Sequence, residues 1–257
     1  MEVTSPLPPR WRRWELDRHP SSNAAALEAA RNGDPGRLWV TTVEQTAGRG
    51  RRGREWVSSR GNLHASLLLI DPAPADLTPT ISYVAGVALD AALSEAAGPA
   101  AGGAIRLKWP NDLLCTGRKV AGILVEGADL GGGRRAVVIG FGVNCVAHPG
   151  LGEGYVSGDL ASLGVPVEAE PLFLRLAAQM AAWLERWDAG RGFATIRAQW
   201  MDRSVGLGLP VKARLPDRLV EGRFDDLDAT GRLVLTRLDG QREAISAGDV
   251  FFGPRGI

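Results

Sequence analysis

The residues best equipped for chemistry fall in three clusters. Gly48-Arg49-Gly50-Arg51-Arg52-Gly53-Arg54 gathers four arginines into seven residues. Like charges crowded this way repel, so folding alone gives no reason to collect them. Glycines let backbone N–H groups approach a ligand closely, and guanidinium forks suit phosphate and carboxylate oxygens. The stretch reads as an anion cradle that could order around its ligand. It lacks the Gly-Lys-Ser/Thr ending of a P-loop. Two other readings stay open, an Arg/Gly segment that binds nucleic acid and a solvated charged face. The segment lies between two strand-like runs, with Trp56 two residues beyond Arg54, so the fold holds both its ends.

The second cluster begins where residues 105–109 alternate like a strand and deliver Pro110-Asn111-Asp112, with Trp109 biased to an extended conformation. Lys119 opens the next strand seven residues later. A hairpin would return Lys119 beside Asn111 and Asp112, bringing an amine, an amide and a carboxylate to one mouth. An ordinary strand-to-turn exit explains the same residues. Gly122 marks a place where something passes close to the strand. In the third cluster, Gly140 and Gly142 face one way on an apolar strand that ends at Asn144. Either a flat ligand or a closely packed helix suits that face, and Asn144 offers a polar handle. Cys115 and Cys145 have no metal-ligand spacing and read as buried or structural.

These residues need elements to place them. A helix is expected over 23–31, capped by Ser21 or Ser22 and stopped near Gly33, then a buried strand over 38–43. Residues 45–55 read as loop and 62–70 as strand. A second helix runs to Ala97, with Thr78 as cap, Pro79 at its first position and Gly98-Pro99 as its stop. Strands at 105–109, 120–126 and 136–143 have short connections, Gly131-Gly132-Gly133 among them, which favours antiparallel neighbours. A third helix spans 171–187. Beyond Gly206 short alternating segments (211–215, 219–224, 233–236, 242–245, 250–252) form a small all-β module, a barrel in expectation, with its boundary in 203–210. No internal repeat is present.

The chain of 257 residues allows one sizeable core plus that module. A net charge of +1 means that any basic site is local. No apolar run approaches a membrane span, and residues 1–13 lack the apolar core of a signal peptide, so the cytoplasm is expected.

In order and spacing, Gln45, Gly48 to Arg54 and Trp56, then Lys108 to Asp112, then Arg118 to Glu126, then Gly140 to Asn144 resemble the biotin protein ligases. Ser21-Ser22-Asn23 is similar to that family's Ser-Thr-Asn segment, and the β module fits its C-terminal SH3-like domain. The resemblance implies an α/β catalytic domain like that of class II aminoacyl-tRNA synthetases, with a mixed, largely antiparallel sheet over 1–205 and the SH3-like barrel over 206–257. It implies two half-reactions. Biotin and Mg-ATP give biotinyl-5′-adenylate, and a lysine of a biotin carboxyl carrier protein then takes the biotin.

The site residues follow from the same resemblance. Lys119, Arg51 and Asp112 are the catalytic set: Lys119 bridges biotin carboxylate and α-phosphate, Arg51 holds the adenylate, and Asp112 orients or deprotonates the incoming lysine. Ser21, Ser22, Asn23, Gln45, Gly48, Arg49, Arg51, Lys119 and Gly122 match biotin-binding positions. Arg49, Arg51, Arg54, Trp56, Asn111, Lys119 and Asn144 match ATP-binding positions, with Trp56 packed on the adenine or anchoring the loop. No protein ligand is assigned to magnesium, which is expected to ride on the ATP phosphates. Pro20 replaces an aspartate common in the family, Ser22 a threonine and His64 an aromatic; His64 reads as a satisfied strand histidine. Only twenty residues precede Ser21, too few for the DNA-reading domain of some members, so no DNA and no membrane are expected as partners. A homodimer through a sheet edge stays open. The rivals are a lipoate ligase or octanoyltransferase, disfavoured by the full arginine loop and the Lys-Trp-Pro-Asn-Asp run, and a nucleic-acid-binding module, disfavoured by the near-neutral charge.

Overall fold

The computed structural model describes residues 7–98, 103–149 and 156–252. Residues 1–6 and Pro99, the expected helix stop, lie outside them. The first sheet contains β1 (Arg12–His19), β2 (Leu38–Gln45), β3 (Leu63–Ile70), β4 (Ile105–Lys108), β5 (Asp112–Cys115), β6 (Arg118–Gly131) and β7 (Arg134–Val143). Their order is β1-β2-β3-β7-β6-β5-β4, with β1–β2 parallel and the other pairings antiparallel.

Alternation sorts the strand residues onto two faces. Trp39, Leu67, Val137, Ile139 and Phe141 join the main core with α2 (Ile81–Ala97), α3 (Ala169–Trp187) and α4 (Phe193–Asp202). Leu38, Val40, Leu68, Ala136 and Val138 face α1 (Ser22–Arg31), whose Ala25, Ala26 and Ala30 allow close packing. Ser21 is the N-cap of α1, its hydroxyl accepting from the Ala24 amide at 3.4 Å. A second, antiparallel sheet has the order β11-β10-β9-β8-β12, built from β8 (Pro210–Arg214), β9 (Leu219–Leu227), β10 (Leu233–Thr236), β11 (Arg242–Ile245) and β12 (Asp249–Phe252).

Four features depart from the sequence reading. β1 was not foreseen: it is an edge strand of mostly charged, exposed residues, the way such edges avoid unwanted pairing, and it has no apolar run to announce it. β5 replaces part of the expected turn, because its four residues are all buried between β4 and β6. α4 was also missed, although Phe193, Ile196 and Trp200 form a buried stripe at helical spacing. Thr78 and Pro79 sit in a separate 3₁₀ turn, where the Thr78 hydroxyl donates to the Pro74 carbonyl (3.0 Å) instead of capping α2. The Trp109–Pro110 peptide is cis.

The two sheets are stitched together. The Leu107 amide donates to the Arg203 carbonyl (2.9 Å), and the Leu107 carbonyl accepts from Val205 (2.8 Å), so the connector runs beside β4. Arg203 also pairs with buried Asp90 of α2 at 2.9 Å. The buried Tyr83 hydroxyl accepts from Trp109 Nε1 at 2.9 Å and donates to the Gly231 carbonyl in the β module. Tyr83→Phe leaves both partners buried and unsatisfied, so a loss of about 1–3 kcal/mol in urea denaturation is expected. A loss below about 0.5 kcal/mol would mean that this junction contributes nothing net.

Candidate active site

The site lies on the α1 face of the first sheet, where two glycines remove the floor that side chains would make. A Cβ on Gly140 would come 2.3 Å from Asn23 Oδ1, and one on Gly142 would come 2.4 Å from the Trp56 ring. The alternating glycines therefore admit a helix residue and an indole against the strand. Asn23 Nδ2 donates to Glu126 Oε2 (2.8 Å), and Asn23 Oδ1 lies 2.5 Å from Ser66 Oγ. Ser66 Oγ, with one proton to give, also lies 2.7 Å from Ser22 Oγ. The Ser22 amide (2.8 Å) and hydroxyl (3.1 Å) both donate to Gln45 Oε1, while Gln45 Nε2 donates to Ser58 Oγ at 2.9 Å. This network fixes one end of a cavity of about 380 Å³.

The arginine loop roofs the other end. Residues 48–56 fold back on themselves through Gly50 N–H to Arg54 O (2.7 Å) and Trp56 N–H to Gly48 O (2.9 Å), around a 3₁₀ turn at Arg51–Gly53. A Cβ on Gly48 would meet Trp56 O at 2.3 Å, so only glycine permits this closure. Each arginine has a partner elsewhere. Arg49 approaches Glu126 (3.5 Å), Arg51 Nη1 donates to Asn111 Oδ1 (3.0 Å), and both Arg52 (3.2 Å) and Arg54 pair with Asp249.

Between floor and roof, the hairpin delivers the expected convergence. Lys119 Nζ lies 2.6 Å from Asp112 Oδ1, and Asn111 is locked by Nδ2 donating to the Ile123 carbonyl (2.8 Å). Lys119 also stands 5.8 Å from the centre of the Trp56 ring. Asn144 Nδ2 donates to Gly158 O (3.0 Å), leaving its Oδ1 buried without a hydrogen-bond partner, as is the Trp56 indole N–H. Such open polar atoms at a cavity wall suit a ligand.

Of the sequence-assigned residues, Ser21, Ser22, Asn23, Gln45, Arg49, Arg51, Arg54, Trp56, Asn111, Asp112, Lys119, Gly122 and Asn144 line this one cavity. Gly48 is not part of its lining; it sits against the Trp56 backbone. His64 is buried, its Nε2 3.4 Å from the Ser59 carbonyl and its Nδ1 without a partner, so it is a half-satisfied strand histidine whose pKa burial lowers. Cys115 and Cys145 are buried thiols. Sequence reasoning missed Glu126, Ser58 and Ser66, which hold the site residues without standing out as chemistry. It quoted Lys108 within a run without giving it a role, and it missed Asp249.

Lys108 is fully buried beside Phe251 and Phe252, its ammonium 5.8 and 5.6 Å from their ring centres. Burial lowers its pKa from 10.5 to about 8, against the opposing pull of Asp112 and Asp249.

The chain matches the biotin/lipoate A/B protein ligase family over residues 18–144 and the biotin protein ligase C-terminal domain over residues 206–253. It is 42% identical to a biotin–[acetyl-CoA-carboxylase] ligase of Paracoccus denitrificans, covering 93% of this chain and 99% of that one. It is 30% identical to the bifunctional ligase/repressor BirA of Bacillus subtilis, covering 88% of this chain and 70% of BirA. Among solved structures, the biotin protein ligase of Aquifex aeolicus in complex with biotin and ATP superposes with a TM-score of 0.77 at 22% identity, covering 94% and 99% of the two chains. The Leishmania major enzyme in complex with biotinyl-5-AMP gives 0.66 at 24% identity, covering 93% and 100%. The fold class expected from the sequence, class II synthetase-like with a C-terminal β module, is the one these neighbours share.

The lowered Lys108 pKa sets a pH dependence. An unfolded lysine keeps its proton to 10.5 and the folded one releases it near 8, so between these values the unfolded state binds more protons and stability rises with pH. Below pH 8 the full cost of the buried charge is present. Lys108→Met should therefore stabilise the protein near neutral pH by about 1–3 kcal/mol, with the advantage shrinking as pH climbs through that window. Denaturation curves with a difference independent of pH would show that Lys108 carries no such cost.

Proposed function

The chain belongs to the biotin protein ligase family and is a ligase, and we propose that it makes biotinyl-5′-adenylate from biotin and ATP and then passes the biotin to a lysine of a biotin carboxyl carrier domain. The observation that carries the reading is the meeting of Lys119, Asp112, Asn111 and Arg51 at one mouth under the arginine loop. In this reading residues 1–205 form the catalytic domain and 206–257 the SH3-like domain, in the cytoplasm. The Paracoccus relative's name points to a carboxylase subunit as the carrier.

Two anions must meet here, a carboxylate and a triphosphate carrying together about five negative charges. Ser22, Asn23 and Gln45 offer the polar end for biotin, with Ser21, Gly48, Arg49 and Gly122 around it. Arg49, Arg51, Arg54 and Lys119 supply the positive charge, and Asn111, Asn144 and Trp56 the nucleotide contacts. In the first step a biotin carboxylate oxygen bonds to the α-phosphorus, the bond to the bridging α–β oxygen breaks, and pyrophosphate leaves. Lys119, held ready by Asp112, bridges the reacting carboxylate and phosphate and stabilises the charge that develops between them. In the second step the carrier amine attacks the acyl carbon, AMP leaves, and Asp112 receives or orients the proton of an amine whose free pKa of about 10.4 makes it a poor nucleophile. Arg51 and the loop keep the mixed anhydride from water. Among the described residues no three His, Cys, Asp or Glu side chains gather as a metal cage, and the cavity wall mixes basic Arg49, Arg51, Arg54 and Lys119 with Glu55, Asp112 and Asp249. Magnesium fits as a companion of the nucleotide, where it supplies further charge neutralisation.

Pyrophosphate release from Mg-ATP, with biotin, lipoate and octanoate in parallel, tests the reading. Biotin alone should support release, and release with lipoate instead would move the chain to the lipoate-using branch. Lys119→Ala should lower the biotin-dependent rate by at least about a hundredfold with the fold intact; a normal rate would remove Lys119 from its role. Arg51→Gly should let the adenylate escape and label lysines on unrelated proteins. Retention of the adenylate as in the wild type would contradict the loop's sheltering role.

A further inference from the structure

The cavity that gathers Arg49, Arg51, Arg54 and Lys119 also has carboxylates in its wall: Glu55, Asp112, which pairs with Lys119, and Asp249. Asp249 opens β12 in the β module, is nearly buried, and lines the same cavity as Lys119 and Arg51. A triphosphate beside it would feel repulsion, so anion binding alone does not explain why it is there. Its ion pairs leave its own module: Arg52 Nη1 is 3.2 Å from Asp249 Oδ2, and Arg54 Nη2 meets the same oxygen. The two arginines differ. Arg52 is the less exposed of the pair and takes a left-handed backbone (φ 57°), whereas the Arg54 side chain is half in solvent.

We propose that Asp249 is a built-in stand-in for phosphate, holding Arg52 and Arg54 in place while the cavity lacks its anion and ceding Arg54 when a polyphosphate arrives. Asp249 is thereby a positioning residue that reaches the arginine loop from the other sheet. The exchange is favourable because several phosphate charges replace one carboxylate at a guanidinium that is already half exposed. Arg52 stays with Asp249 as the hinge of the handover. The identity of the displacing anion rests on the ligase reading, whereas the resting contact does not.

Hydrogen–deuterium exchange on the full chain tests this without substrate turnover. In Asp249→Asn, amides of residues 48–56 should exchange about tenfold faster than in the wild type, with residues 210–252 unchanged. Sodium tripolyphosphate should bring the variant's loop back to the wild-type rate. Asp249→Glu should stay within about threefold of the wild type. Unchanged loop exchange in Asp249→Asn would overturn the proposal. So would equal acceleration across the β module, which would make Asp249 a structural residue of β12, or a loop that tripolyphosphate leaves fast. If biotin failed to support pyrophosphate release while these three results held, the ligase reading would fall and the stand-in would remain.

Discussion

Four guanidinium groups within seven residues repel one another, and in this fold each is given a partner. Two unit charges about 5 Å apart repel by about 3 kcal/mol at the effective dielectric of a protein surface and by under about 1 kcal/mol in water, so half-exposed arginines without partners carry a penalty between these limits. The fold meets this constraint by bringing three remote places to the loop: Glu126 on β6, Asn111 in the tight β4–β5 turn, and Asp249 on β12. The sheet order and the docking of the β module are what bring these three places within reach of one loop. Lys119 repeats the pattern one layer down, its charge balanced by Asp112.

Shape is solved separately from charge. The Gly140 and Gly142 positions thin one strand so that Asn23 and Trp56 can lie against it, and the Gln45, Ser22, Ser66 and Asn23 hydrogen bonds lock the polar end. That end is pre-organised by short side chains on rigid elements. The cationic end is carried by long arginines on a turn. A rigid polar pocket beside an adaptable cationic one suits a small ring system joined to a reactive phosphate group.

Much of this was legible before the structure because the chemistry is concentrated in runs. The arginine loop, Lys108 to Asp112, and Lys119 to Gly122 are local patterns, and the hairpin that closes Lys119 on Asp112 is a short-range event. β1 was illegible because a charged edge strand has no apolar signature, and β5 because four buried residues between turns are too few to show a period. Glu126, Ser66 and Asp249 were missed for another reason. Their importance comes from which element they face, and Asp249 stands almost two hundred positions from Arg54. The glycine strand suits a flat ligand or helix packing on sequence grounds alone; it admits α1 through Asn23, and Trp56 beside it.

The backbone ladder between Leu107 and the connector at Arg203 and Val205 bears on how this molecule can be divided. A linker bonded along an edge strand is no tether, and the β module that follows it covers Lys108 with Phe251 and Phe252 and receives the Tyr83 hydroxyl at Gly231. Cutting the chain there would not yield a smaller enzyme with an appendage removed. It would strip one wall from the first sheet, leaving the Lys108 ammonium facing water at the root of the β4–β5 hairpin. Buried residues from both sides of the junction, Leu107 and Trp109 among them on one and Phe224, Val250 and Phe252 on the other, form one continuous apolar cluster, and for inheritance or engineering the unit that can be exchanged is the pair.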